Sequence, residues 1–469
     1  MTEIPKYADA PTAARLVSSL GEEYAIVENP SYVYSPYDIY PLAPPRQQLD
    51  DGLLGAVMDM DGTTTTTEPL CVHSLETMVR RIGGYEQKSG WRGLDHQRDY
   101  PNIIGNSTTR HVEYLVQTYR QQVRLESVRE WHVYAAAWTL GKAADEGRKT
   151  EVRANLAALG AGELLGDARF LALMQAKSLD GPEERIVLRQ IADELAPRYQ
   201  LEPFTNLVRA AIDIYYQRYH FILGRIAAGE GQAIAEAVLG GKDKHLIEPM
   251  PGIGVFLALL KGWLGQEAAA CFEILAQSAR ATLGSAELEA GHATLPALGT
   301  CFERQPARVA VVTSSIAYEA EIVLGEVFRI LREQAAGWAL SPARLQRILA
   351  GFASPRHYYD GFITASDSSE MRLKPHRDLY SLALHRIGIL PPDFHRVVGF
   401  EDSESGTIAI RAAGIPICCA LPFTLTKDHH FQAATHQCPG GIPEVILKHR
   451  VFLPQTHNFA PQTLGAFET

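Results

Sequence analysis

The chain has 469 residues, 46% of them hydrophobic and 21% charged, with a formal net charge of -10. That is the balance of a soluble globular protein with room for two or three domains. The acidic excess argues against nucleic acid or an anionic membrane surface as a partner, although a phosphate site would need only local positive charge.

The start, MTEIPKYADA, lacks the basic and apolar regions of a signal peptide, and the longest apolar stretches are too short to span a bilayer. The six cysteines form no C-x-x-C pair and no zinc spacing, as expected of reduced thiols in a cytoplasmic protein. Residues 1–52 read as an N-terminal extension, with a short helix near 12–20 and an extended Pro-rich segment at 41–48.

Leu53–Met58 is a short apolar run ending at an acidic loop, the pattern of a buried parallel strand. A helix is predicted from Glu68 to Arg81, stopped at Gly83-Gly84. Residues 85–248 read almost wholly as helix. Leu207, Val208, Ala211, Ile212, Tyr215, Tyr219, Ile222, Leu223 and Ile226 recur at steps of three and four, which marks a packing face. Strand-like runs return at Val309–Val312, Phe362–Thr364, Arg396–Phe400 and Ile415–Leu421, separated by helical segments. The expected fold class is therefore α/β: a Rossmann-like parallel sheet with helices on both faces, interrupted after its first strand by a large all-helical insertion. Stretches near 263–305 and 325–355 read as further insertions in the α/β part.

Four polar segments fall just past predicted strands, the edge at which open parallel sheets bind ligands. In Asp59-Met60-Asp61-Gly62-Thr63 two carboxylates stand two residues apart, so in extended chain they face one way. One carboxylate is suited to attack phosphorus, and the other to move a proton to or from the leaving oxygen. Thr313-Ser314-Ser315 offers a hydroxyl and backbone N–H groups for an anion, or simply a helix cap. Lys374 is suited to neutralise a phosphate, and Lys242, Lys244 and Lys448 are as good on local sequence. Glu401-Asp402 pairs carboxylates at a strand end, as magnesium prefers, or caps the helix that follows.

Together and in this order the four segments resemble the haloacid dehalogenase superfamily. They look most like the beta-phosphoglucomutase branch, in which a helical cap is inserted between the first and second motifs. The resemblance implies an α/β core at 53–69 and 249–469, and a cap at 70–248. It implies Asp59 as nucleophile and metal ligand, Asp61 as general acid/base and metal ligand, and Thr313 with Ser314 as phosphate-binding groups. It further implies Lys374 as the phosphate-binding lysine and Asp402, with Glu401 beside it, as distal ligands of Mg2+. KPHRDLY resembles the family's K-P-x-P-D-x-[FY], with Arg377 in place of the second Pro, and Gly399–Gly406 resembles G-x-E-D-S-x-x-G. Thr66 stands where the family commonly has Asp, and the inserted region is far longer than the usual cap.

Asp61 discriminates among reactions, because an alkoxide leaving group needs a proton donor. The expected function is magnesium-dependent hydrolysis of a small phosphorylated metabolite through an aspartyl-phosphate. The alternatives are a sugar-phosphate phosphomutase, or a binding or regulatory protein that keeps the fold without turnover. In the cap, Asn106, Ser107 and Arg110 resemble a specificity loop, or else a helix start with an exposed arginine.

Overall fold

The computed structural model describes residues 6–29, 33–85, 91–103, 108–242, 244–367, 370, 372–423, 426, 429–449 and 451–453. The chain divides into two compact units. One comprises residues 1–65, 249–320 and 327–469, and the other residues 66–248 with 321–326.

The first unit is built on a six-stranded parallel sheet. Strands β1 (Tyr24–Glu28) and β2 (Tyr37–Pro41) precede it as a separate antiparallel pair. The sheet comprises β3 (Gly55–Asp59), β4 (Arg308–Val312), β5 (Gly361–Ile363), β6 (Val397–Glu401), β7 (Ile417–Ala420) and β8 (His436–Gln437), in the order β8-β7-β6-β3-β4-β5. Every pairing within it is parallel. Strands β3, β6 and β7 are buried along their whole length, which is why they appear in the sequence as unbroken apolar runs and not as alternating ones.

One face of the sheet, with Val57, Ala310 and Val312, packs on Leu379, Tyr380 and Ala383 of helix Asp378–Arg386 and on Ala409 and Ile410 of helix Glu404–Ala412. On the other face Phe400 meets Phe256 of helix Ile253–Leu260 edge-on at 5.2 Å. Strand order reverses at β3, since β4 follows it on one side while β6 flanks it on the other. That reversal opens a crevice at the carboxyl ends of the strands.

The stretches expected as insertions, 263–305 and 325–355, carry helices Phe272–Ala279, Ser285–Arg304 and Pro342–Gly351, with the end of Ala317–Ala335. The N-terminal residues are more structured than extension and linker signals suggested. Helix Ala10–Ser18 starts at an Asp9 cap, and the β1–β2 pair buries Ala25, Val27, Tyr40 and Leu42 against Ala412 and Ala433. Arg411, fully buried, binds the carbonyls of Ala43 and Ala433 and the carboxylate of Glu23.

The second unit is helical, and its long elements are Glu68–Ile82, Leu125–Lys142, Pro182–Leu195 and Phe204–Arg225. Glu68–Ile82 has Pro69 in its first turn, arginines in its last turn and Gly83 at its end, as helix termini favour. Phe204–Arg225 buries Leu207, Val208, Ala211, Tyr215, Ile222 and Leu223, and also the polar Asp213, Gln217 and His220. Asp213 accepts from His132 Nε2 at 2.9 Å, from Asn155 Nδ2 at 2.9 Å and from Arg148. The other ring nitrogen of His132 bonds the Tyr199 hydroxyl. Among the described residues no helix is long and apolar enough to cross a membrane.

Candidate active site

The register of the sheet brings three sequence segments to one edge. Asp59 ends β3 opposite Val312 of β4, so Thr313 emerges beside it. Met58 pairs with Phe400 of β6, so Glu401 and Asp402 emerge on its other side. Lys374 comes from the loop between β5 and helix Asp378–Arg386. Buried parallel strands thus deliver polar residues from four separated stretches to one place.

The turn after β3 is tightly specified. Met60 O accepts from the N–H groups of Thr64 and Thr65, each at 2.9 Å, and Gly62 N–H donates to Thr65 O at 2.7 Å. Thr64 Oγ1 donates to Asp59 O at 2.7 Å. Gly62 adopts φ +82°, and a Cβ there would lie 2.5 Å from the Asp402 carboxylate. Any side chain would therefore be strained and would collide with the acidic cluster. Gly406 is confined in a similar way, since a Cβ would stand 1.8 Å from Glu401.

Asp59, Glu401 and Asp402 are all buried, and each offers an oxygen within 4.8 Å of the others. Lys374 Nζ donates to Asp59 Oδ1 and, at 2.6 Å, to Glu401 Oε1. Glu401 is anchored further by the Tyr380 hydroxyl at 3.2 Å, and by the N–H and hydroxyl of Ser403 at 3.0 and 2.8 Å. Asp61, half-buried, accepts from the Ser315 hydroxyl at 3.4 Å. Thr313 is buried, and its Oγ1 accepts from Ser315 N–H at 3.0 Å, while Ser314 is exposed in the same loop.

Burial, reinforced by the charge of Glu401, pushes the Asp59 carboxyl well above the usual carboxylate range despite the opposing ammonium of Lys374. Burial also works against the Lys374 ammonium, but Asp59 and Glu401 outweigh it and hold the amine charged. Three buried carboxylates against one ammonium leave excess negative charge in a desolvated pocket. An all-oxygen donor set with that excess fits a hard divalent cation.

The predicted residues all lie at this edge, Asp59 and Glu401 at the ends of their strands and Asp61, Thr313, Ser314, Lys374 and Asp402 in the segments that follow strands. Of the cap residues, Arg110 is exposed on helix Thr108–Thr118 of the other unit, and Asn106 and Ser107 lie outside the described residues. Sequence reasoning passed over Ser315, Ser403 and Tyr380 as partners of the acidic groups. Their signals were available, since Ser403 directly follows Glu401-Asp402 and Tyr380 closes the KPHRDLY segment.

No protein-family model matches the chain, and no curated protein matches it. Among solved structures it is similar to CbbY from Rhodobacter sphaeroides in complex with phosphate, at 16% identity and TM-score 0.34, over 82% of this chain and 93% of that one. It is also similar to a CbbY variant bound to xylulose-(1,5)bisphosphate, at 14% identity and TM-score 0.35, over 84% and 99% of the two chains. A third similar structure is a HAD hydrolase, family IA, variant 3, from Entamoeba histolytica, at 11% identity and TM-score 0.32, over 82% and 92%. These are likenesses and not assignments.

Proposed function

We propose that the chain is a magnesium-dependent phosphatase that hydrolyses a small phosphorylated metabolite through an aspartyl-phosphate on Asp59. The observation that carries this reading is the buried meeting of Asp59, Lys374, Glu401 and Asp402 at the carboxyl edge of the sheet, with Asp61 two residues from Asp59.

Asp59 and Asp402, with Asp61 and Glu401 beside them, would hold the cation. When bound, it supplies positive charge that lets an anionic nucleophile and a phosphate dianion approach. Lys374 shares that task and fixes the orientation of the Asp59 carboxylate. Asp59 attacks phosphorus, forming a P–O bond as the ester P–O bond breaks, and Asp61 gives its proton to the departing alkoxide. Asp61, now ionised, takes a proton from water as the water oxygen attacks phosphorus. The acyl-phosphate bond breaks, Asp59 is restored and inorganic phosphate leaves. Thr313, with the Ser314 N–H beside it, would donate to the phosphate oxygens.

The test is turnover of a panel of phosphate esters, with sugar phosphates, nucleotides and phosphoglycolate included, by the unmodified chain and by Asp59→Asn. Magnesium-dependent release of phosphate that Asp59→Asn loses is the expected result. Equal turnover by the two proteins would sink the nucleophile assignment.

A further inference from the structure

Lys374 lies in a turn, Leu373–His376, closed by His376 N–H donating to Leu373 O at 3.1 Å. This turn does not stand alone. The hydroxyl of Tyr40, from β2, bonds His376 Nδ1, and the two rings meet edge-on at 5.3 Å. Arg372 Nη1 donates to the same hydroxyl at 3.1 Å, and its guanidinium lies 5.9 Å over the Tyr40 ring. Arg372 Nε and backbone N–H both donate to Asp378 Oδ2, at 3.1 and 3.0 Å. Asp378 opens the helix whose Tyr380 donates to Glu401.

Tyr40 thereby grips both sides of the segment that carries Lys374. It is itself fixed, being buried in the cluster that docks the β1–β2 pair on Ala412 and Ala433. That cluster is locked by Arg411, and Ala43 N–H returns a bond to Arg411 O at 2.9 Å. Helix Glu404–Ala412, which ends beside this lock, begins two residues after Asp402.

We infer that Tyr40 is a positioning residue for the reaction: through His376 and Arg372 the N-terminal strand pair holds the Lys374 turn in register with Asp59 and Glu401. This rests on the phosphatase reading above. Tyr40 touches no reacting atom. Its effect comes from limiting the wander of a lysine that must sit within hydrogen-bond reach of Asp59, and displacements near 1 Å at such positions lower rates by up to about 100-fold. Loss of one hydroxyl from an otherwise intact ring is expected to give roughly a tenfold fall.

The experiment uses the full chain with magnesium and para-nitrophenyl phosphate, comparing Tyr40→Phe, His376→Leu, His376→Asn and the double variant Tyr40→Phe/His376→Leu. Hydrogen exchange over residues 372–380 and melting temperature are followed alongside. The inference expects kcat to fall about tenfold in Tyr40→Phe, less in His376→Leu, where the Arg372 bond to the hydroxyl survives, and no further in the double variant than in Tyr40→Phe, because the bond to His376 is already lost with the hydroxyl. His376→Asn, which keeps an acceptor at the δ position, should retain most of kcat. Exchange over 372–380 should quicken in both single variants that lose the bond, while melting temperatures stay close to that of the parent. Unchanged kcat in Tyr40→Phe, additive losses in the double variant, or unchanged exchange over the turn would each overturn the positioning role. Absence of turnover in the unmodified chain would instead sink the phosphatase reading, and the positioning role with it.

Discussion

Each unit buries a carboxylate, and the two are treated in opposite ways. In the helical unit Asp213 is surrounded by donors: His132, Asn155 and the guanidinium of Arg148. Burial disfavours its charge, but the His132 bond and Arg148 win, and the carboxyl is held below its ordinary range. In the sheet unit Asp59 has Lys374, yet burial, the charge of Glu401, which shares that lysine, and the nearby Asp61 outweigh it, so the carboxyl is pushed upward. A satisfied buried charge stiffens a core, whereas an over-supplied one is poised for a positive partner from outside. The same residue type therefore serves as structure in one unit and as chemistry in the other.

The widest contrast should come from removing the two charges. Asp59→Asn should lower turnover by at least about 1000-fold, on the order of 4 kcal/mol of barrier. It should leave the melting temperature without magnesium unchanged or raised, because a crowded charge is gone; a marked loss of stability would make Asp59 a structural residue like Asp213. Asp213→Ala should do the reverse. By leaving Arg148 buried beside an empty position it should cost about 3–5 kcal/mol in denaturant unfolding. An unaltered unfolding midpoint for the helical signal would show that the polar network contributes nothing.

Lys374→Met should lower turnover by roughly 100-fold, the range seen when a fixed charge is lost where charge develops. Magnesium should stabilise the parent by about 2.7 kcal/mol at a hundred times its Kd, and Asp402→Asn should abolish most of that gain. A thermal shift equal in both proteins would place the cation elsewhere, and recovery of activity by calcium as well as magnesium after chelation would contradict a site suited to magnesium.

The smallest effect concerns acid. A carboxyl held below its ordinary value of 3.8 contributes stability that is complete above that value and is lost as pH falls through the lower folded value. Unfolding free energy of the parent should therefore fall more steeply on acidification below about pH 4 than that of Asp213→Asn. Parallel pH profiles would refute the assignment of a depressed carboxyl there.

Much of the sheet was legible because buried parallel strands are written as apolar runs, and each of β3, β4 and β6 ends directly at a polar residue. The identity of Lys374 among several equal lysines was not local information. It depends on β5 lying next to β4, a fact of topology. The helical unit was legible as helix, but Asp213 sits between Ile212 and Ile214 with nothing in the neighbouring sequence to mark it as buried. The N-terminal strands were missed because they pair only with each other, outside the main sheet, and the residues they pack on, Ala412 and Ala433, are remote in sequence. Tyr40 and His376 are 336 positions apart, and no periodicity reports such a pairing.

The order of the strands also has a consequence in time. Asp59 leaves the ribosome roughly 340 residues before Asp402, about 20–70 s at ordinary elongation rates. For most of that interval β3 has neither β4 nor β6 beside it, and β6 is missing until its end, while residues 66–248 of the helical unit are made early in it. An unfinished chain therefore carries an ordered helical domain and an exposed apolar strand, but no acidic pocket. The pocket comes into being only when the last third of the polypeptide arrives, so no truncated product ending before β6 can possess the site.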